Sequence, residues 1–142
     1  MENNNISDYD ILGRKILIVE PNDLNFYSFE RLFIHTGFKL FRVQSCKEAV
    51  KMSAKPFDLV FINILLPESM MAAKKIKSLK PYLPVLAFSN FFSEEDKQKC
   101  MEIGFDGYLS EPMDNVTLLF EIVRFMRNRF KKTTKMKIQP VY

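Results

Sequence analysis

The sequence predicts an α/β fold: a doubly wound, five-stranded parallel sheet with helices on both faces, in a single domain. Three observations carry this prediction. Short apolar runs recur five times at even spacing, at 15–20, 39–43, 58–63, 84–88 and 107–110. The intervening segments, about ten to twenty residues each, carry helix caps and helical periodicity. Strands alternating with helices in this way pack as a parallel sheet joined by right-handed crossovers. The chain of 142 residues suits one domain with a substantial core.

In order, "KILIVE" (15–20) reads as the first strand. Leu24, Phe29, Leu32 and Phe33 then recur at near-helical spacing, with Gly37 placed as the C-cap. After the strand "KLFRV", Ser45 with Glu48 reads as a capping box opening a helix to about Ala54. "FDLVFINILLP" (57–67) is an apolar run with one amide, Asn63, set in it, the signature of a strand buried on both faces. Met70, Ala73, Ile76 and Leu79 give a third helix that ends before Pro81. "PVLAF" is the fourth strand, and Ser93 with Asp96 is a second capping box, with Glu94 and Glu95 near the positive end of the helix dipole. That helix stops at Gly104, "GYLS" follows as the fifth strand, and Asp114 caps a last helix striped by Leu118, Ile122, Phe125 and Met126. The expected organisation is a flexible segment 1–13, a folded domain 14–131 and a basic flexible tail 132–142.

Composition excludes several classes. The amino terminus "MENNNISDYD" has no secretory leader pattern, and no apolar run approaches the roughly 20 residues of a membrane span. Cys46 and Cys100 lie far apart without ligand spacing, so two reduced thiols in a cytoplasmic protein are expected. The net charge of +4 is uneven: from Arg124 onward there are seven Lys/Arg and no acid, leaving 14 basic against 17 acidic side chains before it. Such a tail suits a solvated helix end, or contact with nucleic acid or anionic membrane. In open sheets of this class the working site lies beyond the carboxyl ends of the strands. Those ends carry Glu20 and Pro21, Asn63, Ser89 and Asn90, and Ser110 and Glu111.

Four stretches at these ends, "ILIVEPNDLN" (16–25), "FDLVFINILLP" (57–67), "PVLAFSN" (84–90) and "EEDKQKCMEIGFDGYLSEPMD" (94–114), together resemble the receiver domain of two-component response regulators, the CheY-like family. The resemblance covers about Lys15 to Arg129 and implies a flavodoxin-like (βα)5 fold with strand order 2-1-3-4-5. It also implies phosphoryl transfer to an aspartate at the end of the third strand. Two acidic residues after the first strand hold Mg²⁺ with that aspartate, and a Thr/Ser and a Lys contact the phosphoryl group. Carried across, the acidic pair falls on Glu20 and Pro21, the phosphoacceptor on Asn63, the hydroxyl on Ser89 and the lysine on Glu111. A neutral amide is neither a useful nucleophile nor a charged metal ligand, and Glu111 would repel a phosphoryl dianion. The expectation is a degenerate pocket without a catalytic residue, Mg²⁺ binding weak or absent, and an Asn63 amide donating to the Glu111 carboxylate.

The resemblance places switch-like roles on Ser89 and Tyr108, and an interaction face on the fourth helix, fifth strand and fifth helix, with Lys97, Met101, Tyr108, Arg124 and Arg127. Phe91 and Phe92, just after the fourth strand, read as further exposed contacts. The leading function is a bacterial pseudo-receiver acting through phosphorylation-independent protein contact, with a histidine kinase, another signalling protein or a second copy as partner. Two alternatives stand beside it: modification at another residue such as Ser89 or Ser110, and nucleic-acid or membrane association through the tail from Arg124. His35 reads as a solvated residue, and Met52, Met70, Met71 and Met101 as packing.

Overall fold

The computed structural model describes residues 12–110 and 114–130, the last five of these by backbone alone. The elements run β1 (Lys15–Val19), α1 (Asp23–Arg31), β2 (Lys39–Val43), α2 (Cys46–Met52), β3 (Leu59–Asn63), α3 (Ser69–Leu79), β4 (Val85–Ser89), α4 (Glu94–Ile103), β5 (Gly107–Ser110) and α5 (Asn115–Phe130). Every strand pair is parallel, and the order is β2-β1-β3-β4-β5. This is the doubly wound, CheY-like arrangement that the resemblance implied.

Burial follows strand position. β3 and β4 are buried at every residue and β1 at all but Lys15, while the edge strands β2 and β5 alternate. Successive side chains on a strand point to opposite faces, so the interior divides into two layers. Leu17, Val19, Val60, Ile62 and Ala87 pack under α2, α3 and α4, with Ala73, Ile76 and Cys100. Ile16, Ile18, Phe61 and Phe88 pack under α1 and α5, with Phe29, Leu118 and Ile122. Both cysteines are free and buried. Burial raises both thiols, that of Cys100 to about 11, so neither is a ready nucleophile.

Caps set the helix starts. Ser93 and Asp96 make both halves of a capping box, and Gly104 ends α4 in the left-handed region at φ 118. Asp114 Oδ1 accepts from the Thr117 amide at 2.7 Å, and these backbone bonds hold its carboxyl below the ordinary range. The Ser45–Glu48 box is only half formed: the hydroxyl accepts from the Glu48 amide but donates to its carboxylate, which therefore does not reach back to the cap N–H.

The first helix differs from expectation. It ends at Arg31, not near Gly37, and Leu24 is exposed rather than part of the stripe. Beyond Arg31 the chain tightens into turns closed by bonds from Phe33 to Glu30 and from Thr36 to Phe33, and exposed His35 takes the left-handed conformation at φ 67. Phe33 nonetheless stays buried against Phe29, Phe38 and Phe61. Leu79, assigned to the apolar face of α3, is exposed. Met52 and Met70 pack against the core, whereas Met71 and Met101 are exposed.

Gly107 permits a close approach. A Cβ there would lie 2.1 Å from the Phe125 ring, which covers this edge strand from α5. Gly107→Ala is therefore expected to cost about 1–3 kcal/mol by overpacking, lowering the denaturation midpoint without changing its slope.

Candidate functional site at the carboxyl ends of the strands

The strand order reverses direction at β1, with β2 on one side and β3 on the other. Such a switch point opens a crevice at the carboxyl ends of the two central strands. The register pairs Val19 with Ile62, which brings the next residues, Glu20 and Asn63, alongside each other. Both are buried, at 2% and 9% exposure, so their polar atoms need partners within the protein.

They find them in each other and in adjacent backbone. Asn63 Nδ2 donates to Glu20 Oε1 at 2.9 Å, and the Asn22 amide donates to Glu20 Oε2 at 3.1 Å. Asn63 Oδ1 accepts from the Leu65 amide at 2.9 Å, turning the chain out of β3. The expected partner of the Asn63 amide was Glu111. The partner observed is Glu20, because the parallel register sets β1 beside β3, and Glu111 lies outside the described residues.

Ser89, at the end of β4, is buried, but its hydroxyl donates to the Phe91 carbonyl at 3.0 Å and accepts from the Phe91 amide at 3.3 Å. It is thus engaged with the loop that follows and not with Asn63 or Glu20. Pro21 is exposed, its ring supplying no donor and its carbonyl held by Arg42. No cluster of three His, Cys, Asp or Glu suited to a metal occurs among the described residues.

Arg42, from β2, is a site residue that sequence reading missed. Its Nε donates to the Glu20 carbonyl at 2.8 Å, one terminal nitrogen to the Pro21 carbonyl at 2.9 Å, and the other pairs with Asp23 at 2.8 Å. Its guanidinium also lies 4.9 Å from the centre of the Phe26 ring. One planar cation thereby fastens the turn from β1 into α1 at four points. Arg42→Ala is expected to lose about 1–2 kcal/mol and to speed amide exchange at residues 22–25, and Arg42→Lys to behave much the same, since an ammonium cannot span the fork. The only advance signal was a second basic residue, after Lys39, on an edge strand whose other members are apolar.

The rim has mixed character. Leu24, Leu65 and Phe91, all on segments at this end of the sheet, are exposed at 73%, 71% and 71%. Phe92, expected to be exposed beside Phe91, is buried and packs on Tyr108 with ring centres 5.2 Å apart. The apolar pocket beneath α4 draws it in, while Phe91 one residue earlier points outward. Tyr108 is half-buried on the edge strand, with Lys97 Nζ 5.7 Å from its ring centre and paired to Glu94. Phe91, Phe92, Lys97, Tyr108 and Glu121 line one pocket on this side, and Met101 is exposed. Arg124 pairs with Glu121 at 2.6 Å and lies over Phe125. The Arg127 side chain and the tail 132–142 lie outside the described residues, as does the terminal segment 1–11. No described helix is long and apolar enough to cross a membrane.

With this geometry established, comparison with known proteins is consistent across sequence and fold. The sequence profile of the response regulator receiver domain matches residues 16–123. Over 140 residues the chain is 26% identical to "Probable histidine kinase 6" of Oryza sativa subsp. japonica, covering 82% of this chain but only 14% of that protein. It is 29% identical over 107 residues to the polar-differentiation response regulator DivK of Brucella ovis, covering 72% of this chain and 87% of DivK. Among solved structures, the receiver domain of a Pseudomonas aeruginosa sensor histidine kinase, crystallised with magnesium in its active-site cleft, superposes with a TM-score of 0.73. Identity there is 22%, covering 81% of this chain and 98% of that one. The Saccharomyces cerevisiae Ssk1 receiver, solved with the phosphotransfer protein Ypd1, matches with a TM-score of 0.71 at 21% identity, covering 83% and 93%. These last two likenesses bear on fold.

Proposed function

The chain belongs to the response regulator receiver family of two-component signalling, and from that premise we propose that it is a pseudo-receiver, signalling by protein contact without phosphorylation at Asn63. The observation that carries this reading is the Asn63–Glu20 hydrogen bond. The position the resemblance gives to the phosphoacceptor holds a neutral amide, already engaged at both its nitrogen and its oxygen. An amide nitrogen conjugated to its carbonyl is a poor nucleophile for phosphorus, and none of its contacts activates it.

The donor set does not fit Mg²⁺ either. That ion leans on charged oxygens in near-octahedral array. Here Glu20 brings one carboxylate, both of whose oxygens already accept hydrogen bonds, and Pro21 brings no side-chain donor. Instead, the Arg42 guanidinium fastens the turn that the two acidic residues would occupy. The crevice is satisfied internally, which supports a fixed rather than a switched surface.

Partner contact is assigned to the face of α4, β5 and α5, where exposed Phe91 and Met101 stand beside Lys97 and Tyr108. The partner is a histidine kinase, another signalling protein or a second copy, and the cytoplasm is the compartment. The test is affinity capture from native cells with the parent chain, Asn63→Ala, and a Phe91→Asp/Met101→Asp pair. Equal capture by the first two, without a phosphoryl donor, and loss with the third is the expected result. Capture that requires a phosphoryl donor overturns the proposal.

A further inference from the structure

On the sheet face opposite α1 and α5, helices α2 and α3 enclose an open trough of about 390 Å³. Each wall is one helix face. On α2 the wall is Cys46, Lys47, Val50 and Lys51; on α3 it is Met71, Ala72 and Lys75, with the N-cap residue Glu68 at the same three- and four-residue spacings. The floor is fixed, since Cys46 and Ala72 are buried parts of the core. Met71 stands on the wall with 71% of its surface exposed, an adaptable apolar side chain without a covering partner among the described residues.

The rim is predominantly positive. Lys47, Lys51 and Lys75 are exposed and their ammonium groups make no ion pair or hydrogen bond among the described residues, and Glu68 is the single acid lining the trough. Elsewhere on the surface Lys77 and Lys97 are committed to Asp106 and Glu94. An apolar channel between two helices, edged by unpaired lysines, complements an amphipathic helix whose polar flanks are acidic: apolar anchors seat against Val50 and Met71 while carboxylates meet the rim.

We propose that the α2–α3 trough is a docking site for an acidic amphipathic helix of a partner protein. This surface is separate from the face of α4, β5 and α5, so it stands or falls independently of the reading above.

The test titrates the isotope-labelled full chain with a synthetic acidic amphipathic peptide, its apolar residues at i, i+3, i+4 and i+7 and glutamate elsewhere. A twin with lysine in place of glutamate is the control. The expected result is saturable binding of the acidic peptide alone, with amide shifts centred on Val50 and Met71. The affinity should fall at least about tenfold in Lys47→Glu/Lys51→Glu/Lys75→Glu, whose exposed positions leave the fold intact, and similarly in Met71→Asp. Equal binding of both peptides, shifts centred on another face, or no binding overturns the proposal. So does binding that appears only after deletion of residues 1–11, which carry Glu2, Asp8 and Asp10, because the chain's own segment would then be the occupant. Binding to anionic vesicles but not to the peptide also overturns it.

Discussion

Phe61→Ala is expected to destabilise the protein by about 3–5 kcal/mol, the cost of a large void in a packed core. Phe61 is fully buried at the centre of β3, on the layer beneath α1 and α5. Its ring lies 5.1 Å from Phe29, 6.2 Å from Phe88 and 6.4 Å from Phe33, mostly edge to face. Phe29 also meets Phe88 at 5.0 Å, so the four rings form one closed cluster joining α1 to two central strands. Truncation removes a ring that meets all three others, and rigid neighbours on strands close the gap poorly. Denaturant unfolding measures it; a loss below about 1 kcal/mol would mean that the cluster repacks and does not specify how α1 sits.

Asn63→Asp, the single change that restores the family's carboxylate, is expected to weaken the fold near neutral pH rather than leave it unchanged. It places a second carboxylate against Glu20 at a spacing now 2.9 Å and removes the amide donor. Two buried carboxylates at this distance cannot both ionise without mutual repulsion, so the folded state retains a proton that the unfolded state releases. Stability therefore matches the parent most closely in acid and falls as pH rises through the carboxylate range, by roughly 1–3 kcal/mol. Millimolar Mg²⁺ should recover part of the loss in the variant and leave the parent unmoved, since a ligand stabilises only the state that binds it. Thermal melts across pH, with and without Mg²⁺, separate these outcomes. A variant as stable as the parent at pH 7 would show that the Glu20–Asn63 bond contributes little.

How much was legible in advance follows from what each residue reports. The five strands were visible because both-face burial writes itself as continuous apolar runs, and the observed strands begin or end within one residue of those runs. Two caps, Ser93 with Asp96 and Asp114, act as their side-chain chemistry dictates. The end of α1 was not legible. Phe29 and Phe33 keep the same spacing whether the chain stays α-helical or tightens after Arg31, and His35 takes the left-handed conformation at φ 67 two residues before Gly37, which is left-handed too at φ 93. The position of Asn63 at a strand end was readable from its run, but its partner was not. Glu20 lies 43 residues away, and only the pairing of β1 with β3 brings it to hydrogen-bond distance. Arg42 was hidden for the same reason: it acts across strands, on backbone carbonyls that no sequence pattern marks.

Those two contacts, Asn63 with Glu20 and Arg42 with the turn from β1, are the basis for reading the crevice as closed to phosphoryl chemistry. The most direct measurement is the intact mass of the parent chain after incubation with Mg²⁺ and a small acyl phosphate, beside Pro21→Asp/Asn63→Asp/Glu111→Lys. The expected result is an unchanged parent mass and a single phosphoryl adduct on the triple variant. A phosphoryl adduct on the parent, at Asn63, Ser89, Ser110 or any other residue, would contradict the account.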